Sequence, residues 1–413
     1  MARILLLCWR DSTHPQGGGS ERYLEHVADG LAAAGHTVVY RTSRSRGVAR
    51  SETAPSGVVF SRAGNRFTVY PRAQAAILLG RLGLGPLRGL RRPDVVVDTQ
   101  NGVPFFSRFA TLAPVVVLVH HIHREQWPVA GRLVARIGWW IESWLAPRVH
   151  ARSQYVTVSL PSAEELAELG VDAQRIAVVR NGLDALPAGV APGGPHTRAD
   201  GPRLVVLSRL VPHKHVEDAL EVVAALRASR PGLVLDVIGS GWWADELRAH
   251  AAGLGLMGSG SDTGMGPGAV VFHGHVDELT KHHLLAAAAV HLMPSRKEGW
   301  GLAVSEAAQH GVPTVGYHHA AGLRDSIDDG ETGTLVDDVA AMTVATERLL
   351  ADDALRDRMG EAARRKAAGM SWAATGSAMA KVLSTVRQGG RVSGVVSGVV
   401  SGAEGFRGDA AAG

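Results

Sequence analysis

A single cysteine, Cys8, stands in the 413 residues of this chain. That excludes a disulfide framework and a zinc cluster built from thiolates, and it fits a reducing compartment. Lysine is absent from residues 1–190, where arginine supplies all 22 Lys+Arg positions. Aromatic residues are few, at 5%, whereas 50 glycines promise many turns. No apolar run reaches the roughly 18 residues that a membrane-spanning helix needs. The opening MARILLLCWRDS has a charge and a short apolar run. The polar GGGSER follows it in place of a small-residue cleavage site, so it reads as a first strand and not as a signal peptide. What remains is an ordinary globular balance, 46% hydrophobic and 20% charged. The length suits two or three domains.

The net charge of +4 is unevenly placed. Residues 1–190 carry 22 Lys+Arg against 14 Asp+Glu, and residues 191–413 carry 21 against 25. A basic first half implies an anionic partner: a phosphate, a membrane surface or a nucleic acid. No nucleic-acid fold motif accompanies it.

Apolar runs of strand length alternate with helical-period segments. RILLLCW (3–9) precedes ERYLEHVADGLAAAG (21–35), and TVVYRT, DVVVDTQ, PVVVLVHH and YVTVS follow as strands. Runs with little alternation mark a parallel sheet covered on both faces. The alternation predicts a doubly wound α/β domain over 1–184. ALPAGVAPGGPHTRADGP (185–202) reads as a linker. The pattern then restarts, predicting a second such domain over 203–371. A final helix over 372–388 is expected to cross back onto the first domain. Two segments read as additions: the loop 257–268, and the tail 389–413 with its SGVVSGVVSG repeat, expected to be poorly ordered.

The strongest constellation is PSRKEGWGLAVSEAAQHGVP (294–313). A strand ends in a loop, and Gly299-Trp300-Gly301 opens a helix near Leu302. Unpaired N–H groups at a helix start form an anion site. Glu298 in the loop and Glu306 on the helix flank it, and carboxylates accept hydrogen bonds from vicinal sugar hydroxyls. The expected ligand is a sugar joined to a nucleoside through phosphates. Gly239-Ser-Gly-Trp-Trp-Ala244 also fits a dinucleotide fingerprint. The next strand ends in histidine where that fingerprint wants an acid, which argues against a dehydrogenase.

Segment 294–313 resembles the signature of the large retaining glycosyltransferase family 4 with the GT-B fold, in which seven residues separate two glutamates. SRLVPHK (208–214), VRNGLD (179–184), VIGSG (237–241), GLRDSIDDGETGTLV (322–336) and GGGSERY (17–23) resemble further family elements in the family's order. The resemblance covers about residues 1–385. It implies two facing Rossmann-like domains with a deep cleft between them, and transfer of a hexosyl group from a nucleoside-diphosphate sugar to an alcohol with retention. By the same resemblance, Arg209 and Lys214 clamp the diphosphate and His120 is the active-site histidine. Glu306 holds the ribose and Glu298 the donor sugar. Gly299, Trp300, Gly301 and Leu302 supply N–H groups. Gly18 and Gly19, with Gly17, form a closing loop, and Gly239 and Val276 complete the donor site. The sequence departs from the family at Lys214-His215, where Lys-Gly is common, and at Asp325, where Glu is common.

No Asp-X-Asp occurs, so no metal or other cofactor is expected; the nucleotide sugar is a co-substrate. His120, His121 and His123 leave a metal site as a rival reading, and an epimerase of the same fold is another. Residues 72–92 and 131–148 place arginines beside leucines and tryptophans, either as interfacial faces or as core-packed helices. A lipid-linked or envelope acceptor and a soluble small molecule both fit. The expected location is cytoplasmic, with peripheral contact to the inner face of the plasma membrane.

Overall fold

The computed structural model describes residues 1–14, 17–124, 126–127, 131–191, 201–258 and 269–398. The middle of the linker, most of the 257–268 loop and the end of the tail lie outside the described residues.

Among the described residues, eight of the nine strands of the first sheet are β1 (Arg3–Leu7), β2 (Thr37–Thr42), β3 (Ser51–Thr53), β4 (Val59–Arg62), β5 (Val95–Thr99), β6 (Val115–Val119), β7 (Gln154–Thr157) and β8 (Ile176–Val178). Their order is β8-β7-β6-β5-β1-β2-β4-β3, parallel except at β3–β4. Val95, Val96 and Val97 open β5, and valine and leucine fill β6; every residue of both strands is buried, as a sheet covered on both faces requires. The second sheet holds β9 (Arg203–Leu207), β10 (Val234–Ile238), β11 (Val270–Gly274), β12 (Val290–Met293), β13 (Thr314–Tyr317) and β14 (Gly333–Val336). Its order is β11-β10-β9-β12-β13-β14, all parallel. Two doubly wound domains therefore face each other, as the alternation predicts.

The helix Trp372–Arg387 packs on the helix Gly19–Ala33 of the first domain. Gly30 and Gly376 lie at the crossing, where a Cβ on Gly30 would stand 3.4 Å from Gly376 Cα. Ala378, Met379, Val382, Leu383 and Val386 join the first domain's core.

One expectation needs correction, and one open alternative is narrowed. The front of the tail is docked: β15 (Gly394–Val395) pairs with β8 at the sheet edge, and the Gln154 side chain holds both Val392 N (2.9 Å) and Val392 O (2.7 Å). The same buried amide also donates to Tyr155 O (2.9 Å) and Arg175 O (2.8 Å), so Gln154 ties the tail to the edge of the sheet, and Val396 closes over the core at 9% exposure. The 131–148 segment does not fill the core. The helix Arg132–Trp140 runs into a π-helical turn, Ile141–Leu145, and exposes Leu133 (72%), Ile137 (50%) and Trp140 (49%). The π turn instead buries Glu142, which accepts from His123 N (3.2 Å) and Trp127 Nε1 (2.7 Å).

Candidate active site

The site lies where the carboxyl ends of both sheets meet, as parallel α/β folds dictate. From the second domain, β9 runs into Ser208-Arg209-Leu210, which zips against the loop after β10. Ser208 N donates to Ile238 O at 3.0 Å, and Leu210 N to Ser240 O at 3.0 Å. Gly239 makes this possible: its φ is +130°, and a Cβ there would stand 1.9 Å from Ser208 O. Gly239 therefore props Arg209 through its backbone. A one-turn 3-10 helix, Pro212–Lys214, then presents Lys214, whose ammonium pairs with Glu298. Both side chains are about nine-tenths buried, at 13% and 10% exposure. His215 follows in the left-handed region, φ +46°, which explains why glycine suits this position.

Gly301, at φ +86°, caps the helix Leu302–Gln309. The loop before it is pressed against the first domain: a Cβ on Gly299 would stand 2.4 Å from His120 O. Gly322 N donates to Glu298 O from behind at 3.2 Å. The Trp300 side chain leaves the cleft and packs with the first domain's core, 4% exposed, with Nε1 donating to Ser305 Oγ at 3.1 Å. Glu306 pairs with the buried Lys281 at 2.7 Å, and Lys281 also bonds Glu278 at 2.6 Å. Val276 packs with the cluster containing Val205, Ile238 and Ala307.

From the first domain, Gly18 caps the helix Gly19–Ala33, its N–H donating to Glu21 Oε2 at 2.8 Å. A Cβ on Gly19 would stand 2.8 Å from Leu302 Cδ1, so the glycine loop touches the start of the facing helix. His120 ends β6 edge-on to Tyr23, with ring centroids 5.0 Å apart. Its Nε2 is buried without a partner, and burial pushes its pKa down to about 4. His121 turns to the other side, toward Lys214 and Lys297, and bonds Gln126 at 2.9 Å. Burial, then the adjacent Lys214 and Arg209, push His213 down to about 4. His123 is held by Glu142 at 3.0 Å. Among the described residues no three ligand-type side chains gather into a metal cluster.

Three cations escaped the sequence reading. Arg10, paired with the buried Glu21 at 2.9 Å, faces Arg209 across the cleft; its place at the end of β1 was the available signal. Lys281 had none, because its tie to Glu306 joins two separate helices. Lys297 crosses to Glu165 in the first domain. A second bridge is made by Asp325, which accepts from Leu160 N (2.9 Å) and from Arg180 (2.5 Å). The shorter Asp325 thus caps a first-domain helix in this arrangement.

Two facing Rossmann-like domains, with Arg209 and Lys214 on one rim of the cleft and a strand ending in His120 on the other, have the GT-B architecture. A sucrose-phosphate synthase from Thermosynechococcus elongatus superposes with a TM-score of 0.76 at 20% identity, covering 94% of this chain and 99% of that one. The family described as "Glycosyl transferases group 1" matches residues 195–366, and "Glycosyltransferase Family 4" matches residues 17–185. A glycogen synthase of Mycobacterium tuberculosis is 30% identical over 94% of this chain and 96% of its own. A GDP-mannose-dependent alpha-(1-6)-phosphatidylinositol monomannoside mannosyltransferase of Mycolicibacterium smegmatis is 29% identical over 91% and 97%. The chain belongs to the group 1 glycosyltransferases and is a sugar-transferring enzyme.

Proposed function

We propose that the enzyme moves a hexosyl group from a nucleoside-diphosphate sugar to an alcohol, with retention and without a metal ion. The observation that carries this reading is the placement of Arg209, Lys214 and the start of the helix Leu302–Gln309 on one rim, facing His120. The acceptor oxygen bonds to the anomeric carbon as the bond to the diphosphate breaks. The departing phosphate oxygen takes the acceptor proton on the same face. Arg209 and Lys214 meet the charge that grows on the leaving group, where preorganised donors count most. Glu298 and Glu306 take sugar and ribose hydroxyls, each with one oxygen held by a lysine and one left to accept. Purified protein screened against nucleotide sugars should release nucleoside diphosphate only with its own donor. NMR of the product should show the donor's anomeric configuration; an inverted product refutes the mechanism.

The acceptor we propose is lipid-linked, a precursor of an envelope glycan, met at the inner membrane face. The relatives' names include both a phosphatidylinositol glycolipid and glycogen, and the surface is what supports the lipid-linked choice. Leu133, Ile137, Trp140 and Trp144 stand exposed on one helical segment, with Trp140 and Trp144 stacked at 5.3 Å and Arg148 over Trp144 at 4.3 Å. Leu78, Leu79, Leu82 and Leu84 stand exposed among arginines in the 72–92 segment. Among the described residues no helix is long and apolar enough to cross a membrane, so contact would be interfacial. Sedimentation with anionic vesicles tests this. Ile137→Ser with Trp140→Ser should release the protein, and binding that survives this change turns the choice to a soluble acceptor.

A further inference from the structure

Arg41 is the penultimate residue of β2, in register with Leu7 of β1 and Ser61 of β4. It therefore stands at the carboxyl rim of the first sheet, the rim that carries Arg10 and His120. Alternation puts it on the face of Val39, which packs against the helix Val69–Arg81. The side chain is buried, at 3% exposure. Nη1 donates to Ser61 Oγ at 2.9 Å. Nε is buried with no partner, and among the described residues no carboxylate pairs with this guanidinium. The carboxylates at this rim go elsewhere: Asp11 (2.6 Å) and Glu52 (2.8 Å) both bind Arg62, one residue past Ser61 and on the opposite face. The neighbouring charge on Arg41's own side is another cation, Arg72, which adds to burial in lowering the Arg41 pKa.

An arginine cannot shed its proton to escape burial, and a buried charge is retained at a penalty unless an anion meets it. With Nη1 spent on Ser61, the edge made by Nε and Nη2 remains, and that edge matches two oxygens of a phosphate. We propose that Arg41, assisted by Arg72, seats a phosphate group carried by the acceptor. The strand order β6-β5-β1-β2 sets Arg41 three strands from His120, about 14 Å along the rim at 4.8 Å per strand, and on the other face of the sheet, since His120 follows Val119 and packs on Tyr23. The acidic group therefore sits well away from the reacting hydroxyl and fixes the acceptor's orientation. The assignment to an acceptor rests on the proposed function; the phosphate seat itself does not.

The test uses the full chain carrying Lys214→Gln, which weakens the other phosphate seat. Inorganic phosphate should bind saturably by calorimetry and raise the melting temperature. Adding Arg41→Met should weaken phosphate binding about tenfold or more, the scale of a lost charge-assisted hydrogen bond. Without phosphate the Arg41→Met chain should melt no lower than its parent, because an unpaired buried charge has been removed. If it melts lower and binds phosphate as before, Arg41 is a strut for Ser61 and the seat is refuted. Arg72→Gln, at an exposed position, provides a second reading: unchanged phosphate affinity there also overturns the proposal. Glycerol 3-phosphate and phosphatidylglycerol vesicles, each competed against inorganic phosphate, separate a free phosphomonoester from a lipid head group. Competition by neither sinks the assignment to an acceptor. Phosphate binding that persists in a protein with no affinity for any nucleotide sugar would defeat the proposed function and leave the seat standing.

Discussion

Replacing Lys214 by alanine tests the phosphate clamp and the buried ion pair together. The Lys214 ammonium neutralises Glu298, and both side chains are about nine-tenths buried. Removing the lysine leaves a carboxylate with little solvent. The cost should be about 2 kcal/mol, below the roughly 3–5 kcal/mol of a fully enclosed pair because some water still reaches both groups. For a domain of this size that lowers the melting temperature by about 4–8 °C. Turnover should fall by about a hundredfold or more, since the lost donor meets charge that develops as the glycosidic bond breaks. Donor affinity should fall less. Glu306→Ala should act in the opposite sense: Lys281 keeps Glu278 as a partner, so stability holds while nucleotide binding weakens. The assay is nucleoside diphosphate release at saturating donor, beside thermal denaturation of the same samples. Near-normal turnover in Lys214→Ala would refute the clamp, and an unchanged melting temperature would refute the pair.

Arg209→Lys should not rescue turnover if the guanidinium binds two phosphate oxygens, because an ammonium lacks the fork; the same release assay decides it. His215→Gly should raise stability by about 0.5–1 kcal/mol by relieving the φ of +46°, and a lower melting point would contradict the strain argument. Gly239→Ala should cost turnover more than nucleotide binding, because its methyl group would push Ser208 and Arg209 out of line; retained activity would show that the loop yields. Acidification should destabilise the fold. His120 and His291 have pKa values pushed down by burial to about 4 and about 3, so the unfolded chain binds more protons once pH falls below about 6.5. Each then contributes full stability above pH 6.5 and loses about 2 kcal/mol between pH 7 and 5. His120→Phe should flatten the dependence of melting temperature on pH over that range.

The sequence by itself determined the two parallel sheets, because buried valine–leucine runs alternating with amphipathic segments admit few other arrangements. It also marked Glu298, Glu306, Arg209 and Lys214, whose spacing along strand ends and one helix start is local. The short strands β3, β4, β8 and β15 were not legible, since two to four residues carry too little periodicity and their pairing comes from distant neighbours. The same physics hid the docking of residues 392–396, which depends on Gln154 far away in the chain. Periodicity alone left residues 131–148 open between core and surface; in the fold Glu142 is buried at the π turn, Trp139 packs on the core, and Trp140 and Trp144 face outward. Lys281 beside Glu306, Arg10 opposite Arg209 and Asp325 capping a first-domain helix were decided only by the tertiary structure. Their partners lie on separate elements, and which charge meets which is set by how helices pack within a domain, for Lys281, and by how the two domains meet, for Arg10 and Asp325.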